Sequence, residues 1–222
     1  MRILAISVHP DDETLGCGGT LLKHSAQGDT LFWIILTQMH EPQWSAEEIR
    51  RAATQVEQVD EAYGMKQHFQ LDFPTAQLDR IPQLDLIERI RDVISIVKPE
   101  LIYLIHDGDV HTDHHAAFTA AFSVLKPSYM HKLGVRRILC YETLSSTEAA
   151  PLQPHRLFIP TVYFDITPYI DQKINIFKLY KTEIQQDPQP RGPSSIRALA
   201  RYRGATIGIE YAESFMLIRE VE

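Results

Sequence analysis

RILAISVHPDDE, residues 2–13, is the stretch whose reading decides the fold. Its first seven residues are short, apolar and rich in branched side chains, the pattern of a strand buried on both faces. His9, Pro10, Asp11, Asp12 and Glu13 then follow with no cation among them. Three adjacent carboxylates repel one another, and desolvating any of them is costly without a partner. The stretch therefore predicts a strand that ends at a polar site, with something positive facing the acids.

Working outward, Thr14–Gln27 reads as a helix stopped by Gly28. Its Gly16, Gly18 and Gly19 would weaken a free helix, and they make sense if that face lies close against a sheet or a ligand. Residues 30–37 (TLFWIILT) form a second apolar strand. Ala46–Tyr63 is a helix capped by Ser45 and stopped by Gly64. A strand near 67–71, a helix over 84–97 closed by Lys98-Pro99, a strand over 101–105 and a helix over 115–125 follow. Later strands are expected at 137–142, 161–166 and 214–219, with helices at 169–185 and 195–203. The Pro-rich segment DPQPRGPSS, 187–195, is expected to be a surface loop.

Apolar strands alternating with helices predict an α/β, Rossmann-like chain: a mostly parallel sheet with helices on both faces. Ligands bind such sheets at the carboxyl ends of the strands. HPDDE follows the first strand, and a second polar cluster, HDGDVHTDHH at 106–115, follows the strand at 101–105. Both are expected on the same sheet edge.

The 222 residues fit one domain, 1–222, and the formal charge of −7 excludes nucleic-acid binding driven by bulk positive charge. Cys17 and Cys140 form no CxxC pair, so a disulfide framework is not expected and a reducing cytoplasm is. The apolar run before HPDDE is too short for a signal peptide, and no run approaches a membrane span.

Five of the ten histidines, His9, His106, His111, His114 and His115, fall in the two clusters. A divalent cation would offset the crowded carboxylates. His9 and Asp12 are three apart at a strand-to-helix turn and can converge on one point, and a third ligand can come from His111, His114 or His115. Two histidines and one carboxylate with a position left for water is a catalytic zinc arrangement. Asp11 is then left beside the metal to take the proton of that water. His24, His40, His68, His131 and His155 read as ordinary structural or surface histidines. The GCGG run lacks the spacing and the lysine of a phosphate loop.

HPDDE followed by LGCGGTL resembles the LmbE-like or PIG-L N-acetylglucosamine deacetylases, and DVHTDHHAA resembles the second motif of that family, H-x-D-H. FPTAQLD at 73–79, YETLSST at 141–147 and ALARYRGATIGIEYAESFML at 198–217 are similar to stretches of bacterial members. The resemblance implies one Zn2+ per chain and hydrolysis of the acetamide on a 2-acetamido sugar, giving a free amine and acetate. It places the metal ligands on His9, Asp12 and His114, the general base on Asp11, and assistance to the tetrahedral intermediate and leaving amine on His111. Asp113 would orient a histidine from behind, and His115 lies outside the motif with no role. An arginine in the helix after the second strand, Arg50 or Arg51, would hold sugar hydroxyls. The family commonly has Pro where this chain has Thr112, a change expected to alter loop stiffness more than chemistry. The resemblance also implies a small-molecule partner and a homo-oligomer, often hexameric in bacterial relatives.

Two other readings stand beside this one. DHH at 113–115 and GDVH at 108–111 echo two-metal phosphoesterases, although no glycine-flanked histidine follows downstream. A non-catalytic zinc- or sugar-binding protein of the same fold is the other, and the intact Asp11 and His111 argue against it. The C-terminal Arg191, Arg197, Arg201 and Arg203 are expected to form a solvated basic face.

Overall fold

A computed structural model describes all residues, 1–222. Its centre is a seven-stranded sheet in the order β3-β2-β1-β4-β5-β7-β6. The strands are β1 (Arg2–Ser7), β2 (Thr30–Gln38), β3 (Gln67–Pro74), β4 (Leu101–Ile105), β5 (Arg137–Tyr141), β6 (Val162–Asp165) and β7 (Ala212–Glu220). The first five run parallel, and β7 enters antiparallel to both β5 and β6. The helices are α1 (Asp12–Ala26), α2 (Ala46–Tyr63), α3 (Gln83–Val97), α4 (Thr112–Val124), α5 (Pro127–Leu133), α6 (Ile170–Phe177) and α7 (Pro193–Ala205).

Ile3, Leu4, Ala5 and Ile6 are fully buried, as are Ile102 to Ile105 of β4. These runs have no polar face because helices cover the sheet on both sides. They belong to one apolar cluster of fifty buried residues. The chain goes outward through β1, β2 and β3, then returns to place β4 on the other side of β1. That reversal opens a crevice at the carboxyl ends of β1 and β4. HPDDE and the 106–115 cluster leave those two neighbouring parallel strands, so both reach the same edge, as expected.

α2 begins at Ser45 with a full capping box to Glu48 and ends at a left-handed Gly64. α1 begins two residues earlier than expected and is kinked at Cys17. Past the kink, the Gly19 and Thr20 N–H groups donate to the Glu213 carboxylate of β7 at 2.8 and 2.7 Å. That carboxylate acts as a second cap for the latter half of the helix. Lys173 of α6 lies 2.6 Å from Glu213 and donates to the Leu15 carbonyl at 2.8 Å.

The glycines of α1 face side chains rather than a ligand. A Cβ on Gly16 would lie 2.0 Å from the Tyr141 ring, whose hydroxyl donates to the Ile6 carbonyl of β1. Gly16→Ala is therefore expected to lower stability by about 1–3 kcal/mol through overpacking. A denaturant midpoint equal to that of the parent would show that the ring yields freely.

Several boundaries differ from the sequence expectation. α4 starts at Thr112, not 115, because His111 acts as its cap, its Nδ1 accepting the Asp113 N–H. α6 stops at Phe177 instead of running to 185, because Tyr180 turns inward to donate to Glu13. α5 was not expected, although Pro127 at its first turn and Gly134 after its end are ordinary helix signals. No helix is long and apolar enough to cross a membrane, and both cysteines are free and buried.

Candidate active site

The turn from β1 into α1 is held by its own acids. The Val8 and His9 N–H groups donate to Asp12 Oδ2 at 3.0 and 2.8 Å, leaving Oδ1 to face His114. Glu13 is fully buried and accepts from the Ser7, Thr14 and Tyr180 hydroxyls and the Asp11 N–H. Burial raises the Glu13 carboxyl above its ordinary range, against the pull of those hydrogen bonds. Asp11, just ahead of Asp12 at the start of α1, has a backbone φ of 127°, a region L-residues rarely occupy. Such strain persists where surrounding contacts over-determine it, and it concentrates at functional sites.

The 106–115 cluster meets this turn. His114 Nε2 lies 3.6 Å from Asp12 Oδ1, and His9 Nδ1 lies 3.8 Å from Asp12 Oδ2. Behind them, His9 Nε2 is 3.1 Å from Asp113 Oδ2 and His114 Nδ1 is 3.0 Å from Asp109 Oδ2. Carboxylates behind imidazoles set the ring orientation and leave the other nitrogen free for a ligand. Asp113 also accepts the Ala76 and Leu78 N–H groups at 2.7 and 2.9 Å, which ties the loop after β3 to the histidines. Burial raises Asp113 and Asp109, but the contacts to His9 and His114 outweigh it and hold both below the usual carboxylate range.

His9, Asp12 and His114 present donor atoms within 4.8 Å of one another and could hold a metal ion. Neither nitrogen of the buried His114 makes a hydrogen bond of good geometry in the protein, but Nδ1 has Asp109 at 3.0 Å whereas Nε2 has only Asp12 Oδ1 at 3.6 Å. An orphaned imidazole nitrogen facing a carboxylate oxygen fits a divalent cation between them. A second grouping, His9, His111 and Asp113, overlaps the first through His9, but both Asp113 oxygens already accept backbone N–H groups.

A cavity of about 290 Å³ opens on this centre, and His9, Asp11, His111 and His114 line it. His111 stacks against His114 with ring centroids 4.8 Å apart. Burial, then the neighbouring His9 and His114, push His111 down to about 4, so its ring is neutral near pH 7. Its Nδ1 accepts the Asp113 N–H, which assigns the proton to Nε2.

The positive group facing the acids comes from an unexpected place. Arg191, 180 residues beyond Asp11, donates from Nη1 to Asp11 Oδ2 at 2.9 Å and to Glu183 Oε2 at 2.6 Å. Its Nε donates to Ser145 Oγ at 2.8 Å. Burial pushes the Asp11 carboxyl well up, Arg191 pulls it down, and Asp12 adds to the rise. Arg203 is also no part of a solvated face, since it pairs with Glu142 at 2.6 Å. Of the four C-terminal arginines, Arg197 and Arg201 are the outward ones, with side chains 38% and 59% exposed.

Arg50 and Arg51 are exposed on α2 and do not line the cavity, to which that helix contributes Ile49, Ala52, Ala53 and Gln55. His115 packs instead against Arg156, outside the cavity. His24 is a structural histidine, between Asp29 and Tyr103.

Comparison with known proteins places the chain among its relatives. Diacetylchitobiose deacetylase of Thermococcus kodakarensis is 24% identical over 98% of this chain and 83% of its own. A solved conserved protein of Thermus thermophilus is 25% identical with a TM-score of 0.76, covering 99% of this chain and 96% of that one. GalB, the 4-carboxy-2-hydroxymuconate hydratase of Pseudomonas putida, shares the fold at a TM-score of 0.71 and 19% identity, over 100% of this chain and 98% of its own. The profile of the PIG-L family, described as GlcNAc-PI de-N-acetylase, matches residues 4–125, just over half of the chain, and the protein belongs to that family.

Proposed function

We propose that the protein is a zinc-dependent N-deacetylase that hydrolyses the acetamide of an N-acetylglucosamine-type sugar or conjugate to a free amine and acetate. The observation that carries this reading is the convergence of His9, Asp12 and the orphaned His114 Nε2 beside Asp11 and His111 in one cavity. Two imidazoles and a carboxylate are a donor set suited to zinc. Bound there, the metal would polarise the amide carbonyl and make the attacking water more acidic.

The chain's own groups do the rest. Asp11, its Oδ2 held by Arg191, takes the water proton on its other oxygen, and its burial makes it a stronger base than a free carboxylate. His111 Nε2–H donates to the oxygen that gains charge as the carbonyl carbon becomes tetrahedral. The C–N bond then breaks as Asp11 returns its proton to the nitrogen. Asp113 and Asp109 keep His9 and His114 aligned throughout.

The GalB neighbour shows that this fold also carries a water-adding enzyme, so fold alone does not choose the reaction. Acetate release from acetamido sugars, with metal content measured on the same sample, tests the reading. Release of phosphate from esters and of no acetate from any acetamido sugar would instead favour a phosphoesterase. Neither product would leave a binding protein. His111→Ala is expected to keep its zinc and lose roughly 10²–10⁴ in turnover, the range for a lost acid–base group. Zinc loss in that variant would make His111 a ligand and move the centre to the second grouping.

A further inference from the structure

We infer that the cavity takes an uncharged acetamido sugar bearing an apolar substituent, and rejects sugars bearing phosphate or carboxylate; this rests on the deacetylase reading above. The lining divides by the sheet. On the side built from β2, β3, α2 and the loops at their ends there is no charged group at all. Its apolar part is Met39, Trp44, Ile49, Ala52 and Ala53, with Trp44 half-buried in the loop before α2. The charged groups other than histidines lie elsewhere: Asp11, Glu183 and Arg191.

Arg191 is the one lysine or arginine lining the cavity, and it is already committed. Its guanidinium is held between the Asp11 and Glu183 carboxylates, which leaves it no free face for a second anion. An anionic substituent lying beyond the acetamide would find no unpaired lysine or arginine on either wall and would face Glu183 and Asp11. Burying a charge without a partner is strongly unfavourable. An aryl or alkyl group would remove apolar area from water against the α2 side, and an aromatic partner such as Trp44 adds edge or stacking contact. The exposed positions of Arg50 and Arg51 point the same way, since neither supplies a cation to this wall.

The test compares three substrates on the full chain loaded with zinc: phenyl N-acetylglucosaminide, free N-acetylglucosamine and N-acetylglucosamine 1-phosphate. The phenyl sugar is expected to exceed the free sugar in kcat/KM by about tenfold, mostly through KM, which is the scale of burying one ring. The 1-phosphate should fall about tenfold or more below the free sugar. Trp44→Ala should collapse the phenyl preference, and Glu183→Gln, by releasing Arg191, should raise the 1-phosphate relative to the phenyl sugar. A 1-phosphate cleaved as well as the phenyl sugar overturns the inference, as does a phenyl preference that Trp44→Ala leaves intact. Absence of acetate from all three is a failure of the deacetylase reading instead. Equilibrium binding of the same compounds then decides: the same order supports the inference, and tightest binding of the 1-phosphate overturns it.

Discussion

Asp11→Asn is expected to bind zinc nearly as well as the parent and to turn over roughly 10²–10⁴ times more slowly. Asparagine keeps the shape and can still accept from Arg191, so the turn at φ 127° remains held. What it loses is the basic oxygen. Asp12→Ala should do the opposite and strip the metal, since it removes the carboxylate that faces His114 Nε2 at 3.6 Å. It also strips the Val8 and His9 N–H groups of the carboxylate they share. His9→Ala and His114→Ala are expected to lose zinc as Asp12→Ala does. Elemental analysis beside the acetate rate separates the two aspartates. A metal-free Asp11→Asn protein, or one with near-parental activity, would mean that their roles are exchanged.

Lys173→Met is expected to cost about 3–5 kcal/mol of folding stability, the range for removing one partner of a buried ion pair. Lys173 and Glu213 are 4% and 5% exposed, so the abandoned carboxylate cannot recover its hydration. The same carboxylate accepts Gly19 and Thr20 N–H, so it cannot simply be turned away. Glu213→Gln should be milder, because one amide oxygen still caps α1. Chemical denaturation measures both. A Lys173→Met loss below about 1 kcal/mol, the size of an exposed pair, would show that water reaches this site.

The parts of the protein written in local pattern were legible from the sequence. β1, β2 and β4 are continuous apolar runs, and α2 carries both its start signal, Ser45, and its stop signal, Gly64. The two polar clusters were legible because each follows a strand directly, and parallel neighbours bring their carboxyl ends together. Arg191 was not legible. Its segment is Pro-rich and reads as a surface loop, and its partner is 180 residues away, beyond any periodicity. The Glu213 cap on α1 was hidden for the same reason, since a helix that starts again at Cys17 shows only as excess glycine. α6 was overextended because KLYKTEIQ has a helical pattern, while the pull of Tyr180 on Glu13 is a tertiary contact. The arginine sought on α2 was inferred from resemblance, whereas the cavity takes from that helix only uncharged residues.

The place of β7 has a consequence for how the chain is completed. It is the last strand in sequence and an inner strand of the sheet, between β5 and β6. Until residues 212–220 leave the ribosome, β5 is an open edge and β6 has no neighbour in the sheet. Glu213 arrives on that same strand. A chain stalled or clipped just short of it carries His9, Asp12, His114 and even Arg191, yet lacks the anion that sets the course of α1 beneath them. Ending the chain early thus spoils the site from below, with every residue that faces the cavity still in place.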